Sequence, residues 1–117
     1  MYAKYRLEII RGEDRSIPMR FLYRNPETGR NEPIDLEGRD FLMAVRDWET
    51  DEEIDRLSTH NKRIALEGTW LTVNFPHAVT GDFTSERAKF DLFVISGEIR
   101  QCLLIGEIRI RRGCSYG

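Results

Sequence analysis

The chain has 117 residues, of which 40% are hydrophobic and 32% charged, and its formal net charge is −2. This length and balance predict a single globular domain over residues 1–117 and exclude a chain that is disordered throughout. A net charge so close to zero argues against a protein held to nucleic acid or to an anionic membrane by a broad positive field.

Apolar and polar residues alternate with a period of two along most of the chain, which is typical of strands with one buried face. The alternating runs are 5–9, 17–23, 41–46, 71–75, 89–94 and 102–111. Segments that carry Gly, Pro, Asn or Asp separate them and predict turns. The order predicts an all-β fold, an immunoglobulin-like or jelly-roll-like antiparallel β-sandwich. Residues 1–3 and 113–117 are expected to fray.

The acidic segment 47–60, DWETDEEIDRLSTH, breaks the alternation. Thr50 with Glu53 three residues later is a helix-capping pattern, which predicts a short helix near residues 50–57. Its apolar content is thin, and a strand over residues 54–58 is the alternative. Nothing in the segment alone decides between the two.

The segment 89–112, KFDLFVISGEIRQCLLIGEIRIRR, predicts a hairpin that is more apolar than a solvent-facing sheet requires. Ile108 and Ile110 alternate with arginines, so they are expected to face inward, and the same parity places Cys102 and Leu104 inward. The preceding strand shares that face if the turn holds an odd number of residues, such as 97–99, or if a bulge shifts the register. The outward apolar set is then Phe93, Ile95, Leu103 and Ile105.

An outward apolar cluster of this kind more often marks a protein interface than bare surface. The alternative is that residues 47–60, or a neighbouring loop, cover it within the same chain. Arg109 and Arg111 share one face of the last strand and are expected to pair across strands or with a partner subunit. The hypothetical interface therefore comprises Phe93, Ile95, Leu103, Ile105, Arg109 and Arg111.

The residues that carry chemistry in enzymes form no recognisable pattern. His60 and His77 have no partner at zinc-site spacing, and the acidic run lacks the alternating ligands and central glycine of a calcium loop. No serine stands in a nucleophile elbow, and no glycine-rich phosphate loop is present. The sequence predicts no catalytic residue, no metal site and no cofactor.

Two further signals concern ligands and compartment. Trp48 follows a predicted strand end and is the candidate aromatic for binding a sugar, whereas Trp70 opens a strand and is predicted to lie in the core.

No apolar run approaches the roughly 18 residues that span a bilayer, and Arg6, Glu8 and Arg11 interrupt any leader-like segment. Folding in a reducing cytoplasm is expected, with Cys102 a free thiol.

Three stretches resemble the small β-sandwich domain of tailed-phage structural proteins, of the type found at the N-terminus of baseplate upper proteins and in tail and head-fibre components. They are LEIIRGEDRSIPMRFLY, PIDLEGRDFLMAVRD and KFDLFVISGEIRQCLLIGEIRIRR. The first holds a strand, a charged Arg-Gly turn and a second strand. The second is an Asp-Leu-x-Gly step into a strand ending in Val-Arg, and the third is the final hairpin.

The resemblance covers about residues 5–111 and implies a structural role without catalytic residues. The expected protein is a phage or prophage virion component in the tail, baseplate, neck or fibre-attachment region, assembled in the host cytoplasm. Its expected partners are further copies of itself and other virion proteins, with no nucleic acid and no membrane. The alternatives are a carbohydrate-binding module at a tail tip and a capsid decoration protein.

Overall fold

The structure, a computed structural model, describes residues 3–113. It contains ten strands and one short helix within that range. The elements are β1 (Ala3–Ile10), β2 (Arg15–Arg20), β3 (Leu22–Arg24), β4 (Asn31–Pro33), β5 (Asp40–Asp47), β6 (Glu53–Ser58), β7 (Ile64–Glu67), β8 (Trp70–Phe75), α1 (His77–Thr80), β9 (Arg87–Ser96) and β10 (Ile99–Arg111).

The fold is an all-β sandwich, as the alternation predicts. Five strands form one sheet in the order β1-β10-β9-β5-β6, and three form a second in the order β2-β8-β7. β3 and β4 make a separate hairpin. All pairings are antiparallel except that of β1 with β10, which runs parallel from Ala3↔Leu104 to Ile10↔Arg111. The first and last strands of the chain are thus neighbours at one edge of the larger sheet.

A single apolar core lies between the two sheets. The alternating residues of both sheets point into it, so that Met43, Val45 and Leu92 from the larger sheet join Leu71 and Val73 from the smaller. All five are fully buried or nearly so. Burying a side chain of this size stabilises the fold by about 1.5–3 kcal/mol, which is the main force opposing chain entropy.

An ion pair also joins the two sheets; we call it the inter-sheet clamp, formed by Asp55, Arg63 and Asn74. The Arg63 guanidinium donates to both carboxylate oxygens of Asp55, at 2.6 and 3.2 Å, and its Nε donates to the Asn74 carbonyl at 2.8 Å. Only 19% of the Arg63 side chain and 9% of the Asp55 side chain are exposed. The clamp therefore fixes edge strand β6 to the smaller sheet.

The predicted helix near residues 50–57 is wrong, and the alternative strand is correct. β6 pairs antiparallel with β5, which places Leu57 opposite Met43 and buries it completely. Ile54 is half-buried against the same core. The segment has too few apolar residues to stabilise a helix through packing. Burying Leu57 and Ile54 in a strand therefore outweighs the helix-capping pattern.

The last hairpin uses a bulge instead of the three-residue loop. Ser96 pairs directly with Ile99, so the loop is Gly97-Glu98, and Gly97 takes a positive φ of 63°. The register then shifts between Cys102 and Leu104. The extra residue, Leu103, packs against the core, and Cys102 moves to the outer face. These two positions are the reverse of what unbroken alternation predicts.

One further expectation needs correction. Trp70 is not a core residue, because 45% of it is exposed and its ring lies 5.0 Å from the Arg20 guanidinium carbon. The connection between β8 and β9 contains the four-residue helix α1, whose Thr80 is fully buried and donates to the Glu13 carbonyl at 2.7 Å. The prediction of frayed ends falls mainly on residues 1, 2 and 114–117, outside the described range. Within that range, no helix has the length or hydrophobicity to cross a membrane.

Candidate functional site: the outer face and upper end of the larger sheet

The larger sheet carries partly exposed apolar side chains on the face turned away from the core. Phe93 lies in register with Cys102 on β10 and with Leu42 on β5. Together with Ile95 and Ile105 these residues form the outer apolar patch, and each of the five is half-buried. An antiparallel sheet with one solvated face would carry polar residues there. The patch is therefore the strongest candidate for a docking surface.

A groove of about 770 Å³ adjoins the patch on the same outer face. Residues of four neighbouring strands line it, and Ile105 belongs to both the groove and the patch. Ala44 forms part of its floor, and Trp48 stands at one end. Trp48 is 39% exposed, and the Arg87 guanidinium carbon lies 3.5 Å from the centre of its ring. The sandwich therefore offers a shallow, largely apolar concavity with an aromatic end.

Charged side chains of both signs cross the outer face, and most of them also line this groove. Register places Arg6, Glu107, Lys89, Arg46 and Glu53 in one row across the five strands. Glu107 accepts from Arg87 at 2.8 and 3.1 Å, and these hydrogen bonds lower the pKa of its carboxyl. Three of the four neighbouring pairs in this row are of opposite charge, which favours the register, whereas Lys89 and Arg46 are both positive.

The connection between β5 and β6 forms a compact turn held by Asp47. Its carboxylate accepts from the Ser85 hydroxyl and, at 2.9 Å each, from the backbone N–H groups of Glu49 and Thr50. These hydrogen bonds, that from Ser85 first, lower the pKa of Asp47 to about 2. We call residues 48–52 the acidic turn, since they carry Glu49, Asp51 and Glu52. Asp47 fixes its shape.

Stability should depend on Asp47 in a defined pH window. Its pKa is lowered by folding, so its contribution is present above the unfolded value near 3.9 and is lost as the pH falls towards about 2. We expect Asp47→Asn to lower Tm at pH 6 and to leave Tm nearly unchanged relative to wild type at pH 2. Thermal unfolding followed by circular dichroism measures both.

Glu27→Gln is the control for that experiment, because Glu27 is exposed, lies outside the acidic turn, and no ion pair to its carboxylate occurs within residues 3–113. It should leave Tm unchanged at either pH. A Tm difference between Asp47→Asn and wild type that is as large at pH 2 as at pH 6 would contradict the assignment.

Four arginines gather at the same end of the sheet, on the β1 side; we call them the arginine corner, made by Arg11, Arg109, Arg111 and Arg112. With Glu86 they line a cleft of about 440 Å³. Arg11 reaches the corner because its backbone N–H donates to the Arg111 carbonyl at 2.8 Å. The corner holds four positive charges against one carboxylate of the cleft, which favours an anionic ligand.

Two of these four arginines pair with carboxylates of their own sheet, Arg109 with Glu107 at 3.1 Å and Arg111 with Glu8, and both arginine side chains stay exposed. The Arg11 guanidinium donates to the carbonyls of Thr84 and Ser85 at 2.9 and 3.1 Å, and its enclosed Nε has no partner among the described residues. Arg111 pairs with Glu8 at 2.9 Å, although 63% of the Arg111 side chain remains exposed. Carbonyl oxygens satisfy hydrogen bonds without removing charge, so the corner keeps a positive potential.

The histidines and the acidic run form no chemical site in the described residues. His77 Nδ1 lies 3.0 Å from Asp14, and His60 lies 3.6 Å from Asp40, each on the exposed surface. Within residues 3–113 no three His, Cys, Asp or Glu side chains are grouped as metal ligands. The two histidines make surface contacts with carboxylates, and Asp51 and Glu53 of the acidic run form surface ion pairs with Lys89 and Arg56.

The structure places the six hypothetical interface residues in three locations. Phe93, Ile95 and Ile105 belong to the outer apolar patch, as predicted from alternation. Leu103 packs against the core, and the bulge that turns it inward has no signal in the sequence. Arg109 and Arg111 belong to the arginine corner.

Sequence reasoning missed three members of these surfaces. Leu42 lies between the inward residues Phe41 and Met43, so strict alternation along β5 already assigns it to the outer face. Cys102 was displaced by the bulge. Arg11 joins the corner only through the parallel pairing of β1 with β10, which no local pattern encodes.

No protein-family model matches the chain, and no curated protein matches it significantly.

Proposed function

We propose that this protein is a non-enzymatic structural component of a tailed-phage or prophage virion, in the tail, baseplate, neck or fibre-attachment region. It assembles in the host cytoplasm through contacts with further copies of itself and with other virion proteins. The outer apolar patch supplies one such contact. The motif resemblance supports the virion context, and the patch supports the assembly role.

The observation that carries this proposal is that apolar side chains lie on the solvent-facing side of the larger sheet. The core is complete without the patch, because the inward residues of the larger sheet already fill the space between the two sheets. Phe93, Leu42 and Ile95 therefore add exposed apolar area that the fold itself does not need. Removing such area from water is favourable by about 25 cal/mol per Å², so a second surface that covers it gains affinity.

A substitution at Phe93 tests the assembly role. We expect Phe93→Asp to lower the mass of the assembly, because a carboxylate at the centre of the patch loses hydration when the patch is covered. Light scattering over a concentration series gives the mass, and circular dichroism reports whether the sandwich is intact. Because Phe93 is half-buried on the outer face, the variant is expected to fold.

Ala65→Asp is the matched control. Ala65 is exposed on the smaller sheet, on the side away from the core, so it introduces the same charge on the opposite layer. This control should assemble like wild type. The proposal would be contradicted if wild type stayed monomeric at every concentration. It would also be contradicted if Phe93→Asp left the mass of the assembly unchanged.

A second candidate function, a carbohydrate-binding module at a tail tip, is favoured by the position of Trp48. Its exposed indole ends a groove that is large enough for a sugar ring and is bordered by Asp51 and Lys89. Sugars stack on the faces of aromatic side chains, although here Arg87 already covers one face of the indole. Host glycans that quench tryptophan fluorescence in wild type but not in Trp48→Ala would support it, and equal quenching in both would dismiss it.

A further inference from the structure

The acidic turn and the arginine corner lie at the same end of the larger sheet but at opposite lateral edges. β5 ends at Asp47, which pairs with Ala88 near the start of β9. Arg87, the first residue of β9, pairs with Arg109 near the end of β10. The turn that leads into edge strand β6 and the corner beside edge strand β1 are therefore level with each other along the strand direction.

These two surfaces are complementary in charge and are separated within one chain. Four strand spacings of about 4.8 Å, roughly 19 Å, separate β1 from β6. Among the described residues no ion pair links the turn to the corner. Glu49 and Glu52 are exposed, and no ion pair to either carboxylate occurs within residues 3–113. Both carboxylates are solvated in the single chain and are accessible to a cationic group of another molecule.

The two edges are also compatible in direction. β1 runs parallel to β10, and each further neighbour across the sheet is antiparallel to the last, so β6 runs antiparallel to β1. When two copies stand side by side with their sheets level, β6 of one copy lies antiparallel to β1 of the next. That placement brings the acidic turn of the first copy against the arginine corner of the second.

From this arrangement we infer that the arginine corner is the receptor for the acidic turn of a second copy of this chain. Glu49 and Glu52 enter the cleft bordered by Arg111 and Arg112, where guanidinium groups bind carboxylates through paired hydrogen bonds. Because each copy presents one turn and one corner on different surfaces, the contact is head-to-tail. Contacts of this type build rings or filaments, not closed two-fold dimers.

This inference rests on the proposed assembly role and specifies a contact distinct from the outer apolar patch. Its test is a charge exchange between the two surfaces. One variant carries Glu49→Arg and Glu52→Arg, and the other carries Arg111→Glu and Arg112→Glu. All four positions are exposed, so both variants are expected to fold, and circular dichroism checks this.

Each variant alone places like charges at every contact, and we expect its self-association to weaken about tenfold or more. Mixed one to one and arranged alternately, the variants restore opposite charges at every contact. At one kind of contact the reversed turn faces the reversed corner, and at the other the unchanged turn faces the unchanged corner. The mixture should recover association to within about threefold of wild type. Sedimentation velocity at low and high salt measures self-association of each variant, of their mixture and of wild type. The wild-type contact should weaken as the salt concentration rises.

Glu27→Arg with Glu37→Arg is a control of equal charge change, since both glutamates are exposed and lie outside the turn and the corner. It should associate like wild type. Single variants that assemble normally while wild type forms oligomers would refute this contact and leave the proposed function standing. Variants that fail alone and also fail when mixed would show that the corner receives a different acidic partner. A wild-type protein that never associates would remove both proposals.

Discussion

Gly106→Ala should destabilise the protein by about 3 kcal/mol, the upper end of the usual cost of overpacking a core. A Cβ on Gly106 would lie 1.9 Å from the Tyr5 carbonyl oxygen and 2.7 Å from two ring carbons of Phe90. The first contact is with the backbone of β1, which can move away only by giving up its parallel pairing with β10. Urea unfolding of wild type and variant measures the loss.

Two further variants make this expectation specific. Gln101→Ala, an exposed substitution on the same strand, should change stability by less than about 0.5 kcal/mol. Adding Phe90→Leu to Gly106→Ala removes the ring contact but leaves the clash with the Tyr5 carbonyl, so most of the loss should remain. If Gly106→Ala unfolds at the wild-type urea concentration, the close approach of β1 to β10 described here is wrong.

Arg63→Ala should have a comparable effect, lowering stability by about 3 kcal/mol through the inter-sheet clamp. The substitution leaves the Asp55 carboxylate, which is 9% exposed, without its bidentate partner, and it removes the hydrogen bond to the Asn74 carbonyl. The cost arises mainly from a poorly solvated, uncompensated charge. Removing both Asp55 and Arg63 should therefore cost less than the sum of the two single substitutions.

Arg56→Ala provides the comparison, because its ion pair with Glu53 has a similar length of 2.6 Å but leaves 51% and 34% of the two side chains exposed. Pairs of that kind contribute about 0–1 kcal/mol. Equal losses in Arg63→Ala and Arg56→Ala would mean that burial of the clamp has no energetic consequence. A double-mutant cycle with no coupling between Asp55 and Arg63 would mean the same.

The sequence predicts this fold well wherever burial follows strict alternation. Phe41, Met43 and Val45 all point into the core as their period of two requires. The pattern fails where one added residue shifts the register. The bulge at Leu103 reverses which residues face the core and which face outward. The sequence does not mark its position, because Cys102, Leu103 and Leu104 are all apolar. Alternation assigns faces only between such irregularities.

The candidate site was predictable in part for the same reason. The outer apolar patch follows from the parity of Phe93 and Ile95 along one strand. The arginine corner does not, because it joins residues about 100 positions apart through a parallel pairing. Local patterns carry no information on which distant strands become neighbours, and the helix expected near residues 50–57 failed for a related reason. The capping pattern carries no information on β5, the strand beside which Leu57 is buried opposite Met43.

The pairing of β1 with β10 also bears on how the protein emerges from the ribosome. β1 cannot find its neighbour until about a hundred further residues have been synthesised, so this sheet edge closes late. Until then, Leu7 and Ile9 have no completed core to enter and remain exposed to solvent. During that interval, newly made chains should bind chaperones that recognise exposed apolar strands. Folding should be slower than in proteins of the same size that are built from local hairpins.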